Sequence, residues 1–382
     1  MPSQSFKKTI IVAAFAMFSM FFGSGNLVFP LSVGFNSLDL YTFGALGFII
    51  TAVFVPIIGL VSMVFFKGDR KAFFETLGVV PAFLLTFSLL ALMGPFGVVP
   101  RCLTVAYGGL NLVMPWLELW IFAVIFCVSI GAIIWKEGNV VDIIGKILSP
   151  IKMTLVFALM VFGISYAPEI LPSSKTPMDV FSNAAFQGYQ TMDLVASFFF
   201  SSTTVIYIQQ KQGENNLIKS SIYASLIAAL LIAVAYMFFT KIGASYSYQL
   251  KGVGVEQMLV SVSSSALGSL ATPFVAATMA MATMVTAVIL TSLFTEFFQK
   301  DICRNKISRP VSIIITLSIA FCISLLGFGT ITEILGLILE TTYPALIALA
   351  VANIILKATG KHLSKHLFWS TLLITTGLKF FL

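Results

Sequence analysis

Residues 20–30 read MFFGSGNLVFP, and residues 186–194 read FQGYQTMDL. Each stretch lies inside a long apolar run and carries residues that a plain membrane helix does not need. Two glycines flank Ser24, with Asn26 next and Pro30 four residues on, so helical propensity falls and side-chain amide and hydroxyl groups can replace backbone bonds. The expected result is an unwound turn between two half-helices. The competing reading is a close helix-packing face, to which small residues also contribute; Asn26 and Pro30 favour the break. Exposed N–H groups at the start of the outer half-helix suit an anion such as a carboxylate, and freed carbonyls suit a bare cation. In the second stretch, Asp193 precedes the apolar run Leu194 to Phe200. An ionised carboxylate near the bilayer centre costs at least about 2.5–3.5 kcal/mol, so Asp193 should face the protein interior and have a partner. That partner is a bound cation, a proton, a substrate ammonium or Arg101, and the residues leave all four open.

Outward from these stretches the chain stays apolar. Of its 382 residues 58% are hydrophobic and 10% charged, with mean hydropathy +1.01. An ordinary soluble domain has about 45–50% apolar and about 25% charged residues, so a soluble globular enzyme is excluded. Apolar runs fall at about residues 9–33, 40–66, 78–107, 118–135, 150–168, 184–209, 219–243, 271–297, 310–328, 331–356 and 367–382. They are too long and too poorly alternating for barrel strands, and in lipid only helices then satisfy their own backbone. The expectation is an all-α polytopic membrane protein of about eleven transmembrane helices, forming a single domain over residues 1–382. The last run is short and contains Lys379, so its crossing is marginal. The first is read as an uncleaved helix, because its apolar character continues past Gly25 to Val33.

The formal charge of +7 could indicate nucleic-acid binding, but the basic residues sit in short loops and form no basic face, so no nucleic-acid partner is expected. Alternate loops divide Lys and Arg 17 to 4: one side collects Lys7, Lys8, Lys136, Lys146 and others, and the opposite side only Lys175, Lys241, Lys251 and Lys379. The positive-inside rule then places the N-terminus in the cytoplasm of a multi-pass protein of the cell (inner) membrane, with the lipid bilayer as a partner. The four cysteines show no CxxC pair, and His362 and His366 lie in a polar loop, so no disulfide framework or metal centre is read. Asp69, Glu75, Glu137 and Asp142 are scattered among loop lysines without catalytic spacing, which argues against an enzyme. No GxxxxGK[ST] occurs, which argues against ATP-driven transport by this chain. Residues 244–270 are too polar to span and form either an external lid or an interfacial loop.

The spacing of the two interruptions carries more than either alone. Broken spans one and six are five spans apart, and an odd offset inserts the second unit upside down. This is the pattern of a 5+5 inverted repeat, with units at about 8–170 and 180–357, an additional helix at 367–382, and a binding site midway through the membrane. Arg101, near the outer end of the third span, either snorkels to headgroups or serves an ion pair or gate. Thr283 and Thr286, one turn apart in the eighth span, either offer hydroxyl oxygens toward the first span or bond to their own backbone. Phe198, Phe199 and Phe200 are weak candidates for an aliphatic pocket. A channel is the rival reading, but one buried acid and two broken helices fit a closed carrier site better.

The stretches MFFGSGNLVFP (20–30), GPFGVVPR (94–101), GYQTMDLVA (188–196), TMVTAVILTSLFTEFF (283–298) and TYPALIALAV (342–351) resemble the BrnQ-type branched-chain amino acid:cation symporters, the LIVCS family of the APC superfamily. The resemblance implies a LeuT-like fold and secondary active uptake of leucine, isoleucine or valine coupled to Na+ or H+ by alternating access; an aliphatic pocket discriminates one methylene by only ~1–3 kcal/mol, so methionine is expected to compete. A carrier of another neutral amino-acid range is the alternative within that class. It also implies that Ser24, Gly25 and Asn26 meet the substrate carboxylate, that the stretch around Gly188, Tyr189 and Thr191 meets its ammonium, and that Gly23 and Thr286 help hold sodium, to which the one-turn spacing adds Thr283 as a further candidate hydroxyl. Asp193 and Arg101 are the candidates for coupling or gating. No cofactor besides the coupling ion is implied. The chain departs from the family pattern at Leu31, Gly108, Val285 and Glu340.

Overall fold

The structure, a computed structural model, describes residues 6–135, 149–213 and 216–381; Lys136, Lys146, Glu137 and Asp142 lie outside them. The α-helices in chain order are α1 (Phe6–Phe21), α2 (Ser24–Ser37), α3 (Tyr41–Ile49), α4 (Val55–Phe65), α5 (Arg70–Phe74), α6 (Val79–Met93), α7 (Val98–Asn111), α8 (Leu119–Ile134), α9 (Ser149–Ser165), α10 (Pro177–Tyr189), α11 (Asp193–Gln212), α12 (Leu217–Ser245), α13 (Met258–Leu267), α14 (Thr272–Phe297), α15 (Arg309–Ser324), α16 (Gly327–Thr359) and α17 (Ser364–Phe381). A π-helical stretch, Ile50–Phe54, joins α3 to α4 in one helical run.

Among the described residues six runs are long and apolar enough to cross a membrane: Ser24–Phe65, Val79–Asn111, Pro177–Gln212, Leu217–Ser245, Thr272–Ile302 and Gly327–Thr359. The difference from eleven has physical causes. The first expected span is cut, leaving α1 with 16 residues, and Leu119–Ile134 and Arg309–Ser324 are apolar helices of 16 residues each. Sixteen helical residues rise about 24 Å, less than the about 30 Å of hydrocarbon. The 3-10 turn Leu38–Leu40 also merges parts of the first two expected spans. The third, read as continuous over 78–107, is interrupted between α6 and α7 at 94–97, where Gly94-Pro95-Phe96-Gly97 stops the helix. Gly97 lies so close to the Leu92 carbonyl that a methyl group there would overlap it.

The two broken spans each lean on a straighter neighbour. Helix α2 packs along α12 with backbones nearly touching: a Cβ on Gly34 would sit 1.9 Å from the Thr240 carbonyl oxygen, and one on Gly243 would sit 2.0 Å from that of Leu31. Small residues are what allow membrane helices to approach this closely. In the sixth span, Gly188 of α10 meets Thr51, whose hydroxyl donates to the Ala185 carbonyl at 2.8 Å, and α4 places Gly59 against Ser197 of α11. The first span therefore packs on the seventh, the sixth on the second, and α7 of the third on α14 of the eighth. The final helix is held to α16 by Lys379 Nζ, 2.8 Å from Glu340 Oε2, and by the Thr375 hydroxyl, which donates to the Thr341 carbonyl at 2.9 Å. Two charges singled out separately in the sequence thus answer each other.

Between α12 and α14, residues 246–271 dock as a short connecting segment. Its helix α13 buries Met258, Leu259, Val260 and Val262. Glu256 lies in the preceding turn with its side chain against Gly108 and Gly254, and burial pushes its carboxyl above the usual carboxylate range. The ionised form is therefore the disfavoured one in the folded segment. The segment should be most tightly packed below the ordinary carboxylate pKa and should loosen as pH rises through the raised value. Hydrogen exchange of residues 253–268 should speed up beyond its intrinsic pH dependence over that interval, and Glu256→Gln should remove the excess.

Candidate functional site

The first interruption is narrow. Helix α1 ends at Phe21 and α2 starts at Ser24, with Gly23 extended between them at φ −92° and ψ −162°. The expected unwound turn through Asn26 is thus confined to Phe22 and Gly23, and Ser24, Gly25 and Asn26 form the first turn of the second half-helix. The Gly23 N–H donates to Asn26 Oδ1 at 3.0 Å, as in one half of a capping box. The other first-turn N–H groups of α2 have no helical acceptor, by the geometry of any helix start. The second interruption runs over Gln190–Met192, closed by Met192 in the left-handed region at φ 58°. That conformation is uncommon for a residue with a side chain, and Met192 is buried, so the surrounding packing enforces it. Asp193 then opens α11, where a negative charge interacts favourably with the helix dipole.

The two interruptions meet. A Cβ on Gly25 would lie 3.4 Å from the Thr191 Cα. Asn26 Nδ2 donates to Asp193 Oδ2 at 2.7 Å and also to the Tyr236 hydroxyl, which in turn donates to Asp193 Oδ2 at 3.4 Å. Asn26, Asp193 and Tyr236 are at most 4% exposed. A buried carboxylate at membrane depth therefore receives two neutral donors, one from each of two other spans. Tyr236 went unread in the sequence because it stands amid the apolar run of residues 231–239; its hydroxyl in that run was the available signal. The ring is fixed by Phe48 at 5.0 Å and Phe22 at 6.2 Å. Tyr236→Phe keeps this packing and deletes one donor to the buried acid, so the melting temperature should fall by only a few degrees while a ligand bound beside Asp193 loses about 10-fold in affinity.

The remaining candidates fall in different places. Thr286 lies beside the first break, its Oγ1 3.7 Å from a Cβ position on Gly23, while Thr283 donates to the Met279 and Ala280 carbonyls at 3.0 Å each, within its own helix. Thr191 donates to the Gly188 carbonyl at 3.0 Å, and the Cα of Gly188 faces Thr51 of the second span. Tyr189 packs at a tilt against Tyr343 of α16, with ring centroids 4.7 Å apart. The Ser24 hydroxyl accepts from Cys102 Sγ at 3.3 Å. Arg101, one residue away on α7, is fully buried and lies over the Phe29 ring at 5.2 Å, so it does not snorkel to a headgroup. Phe198 packs on Phe73 and Phe74 at 5.0 and 5.7 Å, and Phe199 on Phe74 at 6.2 Å, away from the breaks. Below them a cavity of about 650 Å³ opens beside Arg70, Lys71, Glu296 and Lys300 and reaches Phe199 and Ser202. Those two residues are six and nine positions past Asp193, about 9 and 14 Å along the helix axis.

Comparison with known proteins places this geometry. Residues 6–379 match a family described as branched-chain amino acid transport protein. Among curated relatives, the chain is 29% identical over 358 residues to the branched-chain amino acid transport system 3 carrier protein of Pseudomonas aeruginosa, covering 90% of this chain and 79% of the relative. It is 28% identical over 363 residues to the branched-chain amino acid permease BraB of Bacillus subtilis, covering 91% and 80%. Among solved structures, the inward-facing conformation of Mhp1 superposes with TM-score 0.66 at 13% identity, covering 91% of this chain and 77% of Mhp1. MhsT in complex with L-phenylalanine superposes with TM-score 0.62 at 17% identity, covering 96% and 95%. The fold is thus the LeuT-like fold that the family resemblance implies, and the protein is a multi-pass membrane transporter rather than an enzyme. With its sequence matched almost end to end, the chain belongs to the family of branched-chain amino acid transport proteins.

Proposed function

We propose that this protein carries out secondary active uptake of leucine, isoleucine and valine, with methionine as a competitor, coupled to inward movement of Na+ or H+. One observation carries the reading: the hydrogen bond between Asn26 and Asp193, which joins the two interrupted spans at a buried acid. An acid so placed responds to any cation brought near it, whether a coupling ion or a substrate ammonium. Occupancy of one then favours the arrangement that binds the other, and the effect is reciprocal. Gly23 and Thr286 supply neutral oxygens beside the same break, the donor type that suits a small hard cation. One cation moving down a membrane potential releases roughly 2.3 kcal/mol per 100 mV, which can drive accumulation.

The breaks sit between half-helices that can rock against their partners, and the cavity beside Arg70 and Lys300 ends at Phe199, about 9 Å along α11 from Asp193, on a side toward which such rocking would open the site. With the N-terminus cytoplasmic, as the charge distribution argues, that cavity faces the cell interior and the membrane is the inner one. Discrimination by one methylene is worth only ~1–3 kcal/mol, so the aliphatic substrates should compete with one another. Purified protein in proteoliposomes, given labelled Leu, Ile, Val and Met under a sodium gradient alone and then a proton gradient alone, tests the reading. Uptake of the aliphatic amino acids under one gradient is expected, and that gradient names the ion. No uptake of any of them under either gradient overturns it.

A further inference from the structure

Arg101 is fully buried, and none of its three guanidinium nitrogens has a hydrogen-bond partner among the described residues. The ring of Phe29, 5.2 Å away, is an incomplete answer to a desolvated charge with five donors. The position is fixed from both sides: the Arg101 N–H donates to the Gly97 carbonyl at 3.1 Å, and the adjacent Cys102 reaches Ser24. Phe29 lies against Gly25, a Cβ on Gly25 would touch Thr191, and the Thr191 hydroxyl accepts from the Asp193 N–H at 3.4 Å. Arg101 and Asp193 therefore flank the same meeting of broken helices, and yet the acid is bonded to Asn26 and Tyr236 rather than to the guanidinium. A direct ion pair would have satisfied both. Held apart, the two charges match the two ends of a zwitterion.

We infer that Arg101 binds the carboxylate of the transported amino acid, from the side opposite Asp193. A guanidinium presents its N–H groups in a fork that matches a carboxylate, which an ammonium does not. The first-turn amides of α2, beside Ser24 and Gly25, lie on the same side of the break and supply further donors. This assignment rests on the transport function proposed above and names the group that recognises the α-carboxylate.

The test compares binding of L-leucine with that of leucinamide, which keeps the ammonium and the side chain and lacks the carboxylate, on purified wild type, Arg101→Gln and Arg101→Lys. Wild type should bind leucine far more tightly than leucinamide. In Arg101→Gln leucine should weaken by about 30-fold or more while leucinamide is unchanged or tighter, so that discrimination collapses. Arg101→Lys keeps the charge without the fork and should recover part of the discrimination. Equal losses for both ligands, or no loss for either, overturn the assignment. Should Arg101→Gln fail to fold, Arg101→Lys decides by the same comparison: leucine alone weakened supports the assignment, and both weakened equally overturns it. Wild-type protein that binds leucine while the variants show equal losses sinks the assignment alone. Wild-type protein that binds no branched-chain amino acid sinks the proposed function with it.

Discussion

Asp193→Asn should abolish concentrative leucine uptake, reducing the gradient-driven rate by about 100-fold or more while leaving the protein folded. The substitution is isosteric, and an Asn oxygen can still accept from Asn26 Nδ2, so the contact between the two interruptions survives. What disappears is the negative charge. Without it, a cation arriving at the meeting of the two broken spans finds neutral dipoles and the buried Arg101 guanidinium, and no negative charge to answer it. Its arrival then no longer favours the arrangement that holds substrate, and coupling vanishes even where binding persists. Transport in reconstituted vesicles with and without an ion gradient checks this directly. Near-normal gradient-driven uptake by the variant would remove Asp193 from the coupling site.

The second large effect concerns the seam between α2 and α12. Gly34→Ala would drive a methyl group to within 1.9 Å of the Thr240 carbonyl oxygen, and Gly243→Ala would do the same at 2.0 Å from Leu31. Neither obstacle is the movable tip of a side chain; both are helix backbone. Separating the helices enough to admit the methyl also displaces Asn26 and Tyr236, which those same helices carry. Each substitution should destabilise by about 2–3 kcal/mol or more and lower the melting temperature in detergent, together with leucine affinity. Gly329→Ala is the control, because nothing lies within 4 Å of the Cβ position there, and it should leave both quantities unchanged. A Gly34→Ala protein as stable as wild type would contradict the close packing described.

Much of the architecture was legible because lipid restricts the chain so strongly. The glycines around Ser24 and the acid at 193 mark breaks that a spanning helix has no other reason to contain, and their separation by five spans pointed to the fold. The extent of each break was harder to read. Asn26 was expected within an unwound turn, yet a single extended glycine suffices to redirect the chain, and the helix resumes at Ser24. The interruption at Gly94–Gly97 was written in glycine and proline but lay inside a run apolar enough to pass for one helix. Tyr236 and the Glu340–Lys379 pair depend on which helices become neighbours, and hydropathy does not specify that. Thr283 and Thr286 look alike in sequence, and both donate to carbonyls of their own helix; only the rotation of α14 decides that Thr286 also lies beside Gly23.

An experimental structure of the protein with leucine bound tests most directly whether the two interrupted helices share one substrate site. The ligand should lie where Ser24 and Gly25 approach Thr191 and Asp193, in contact with both half-helix junctions. Leucine seated elsewhere, for instance in the polar cavity beside Arg70 and Lys300 with unbroken helix running through Gly23 and Thr191, would contradict it.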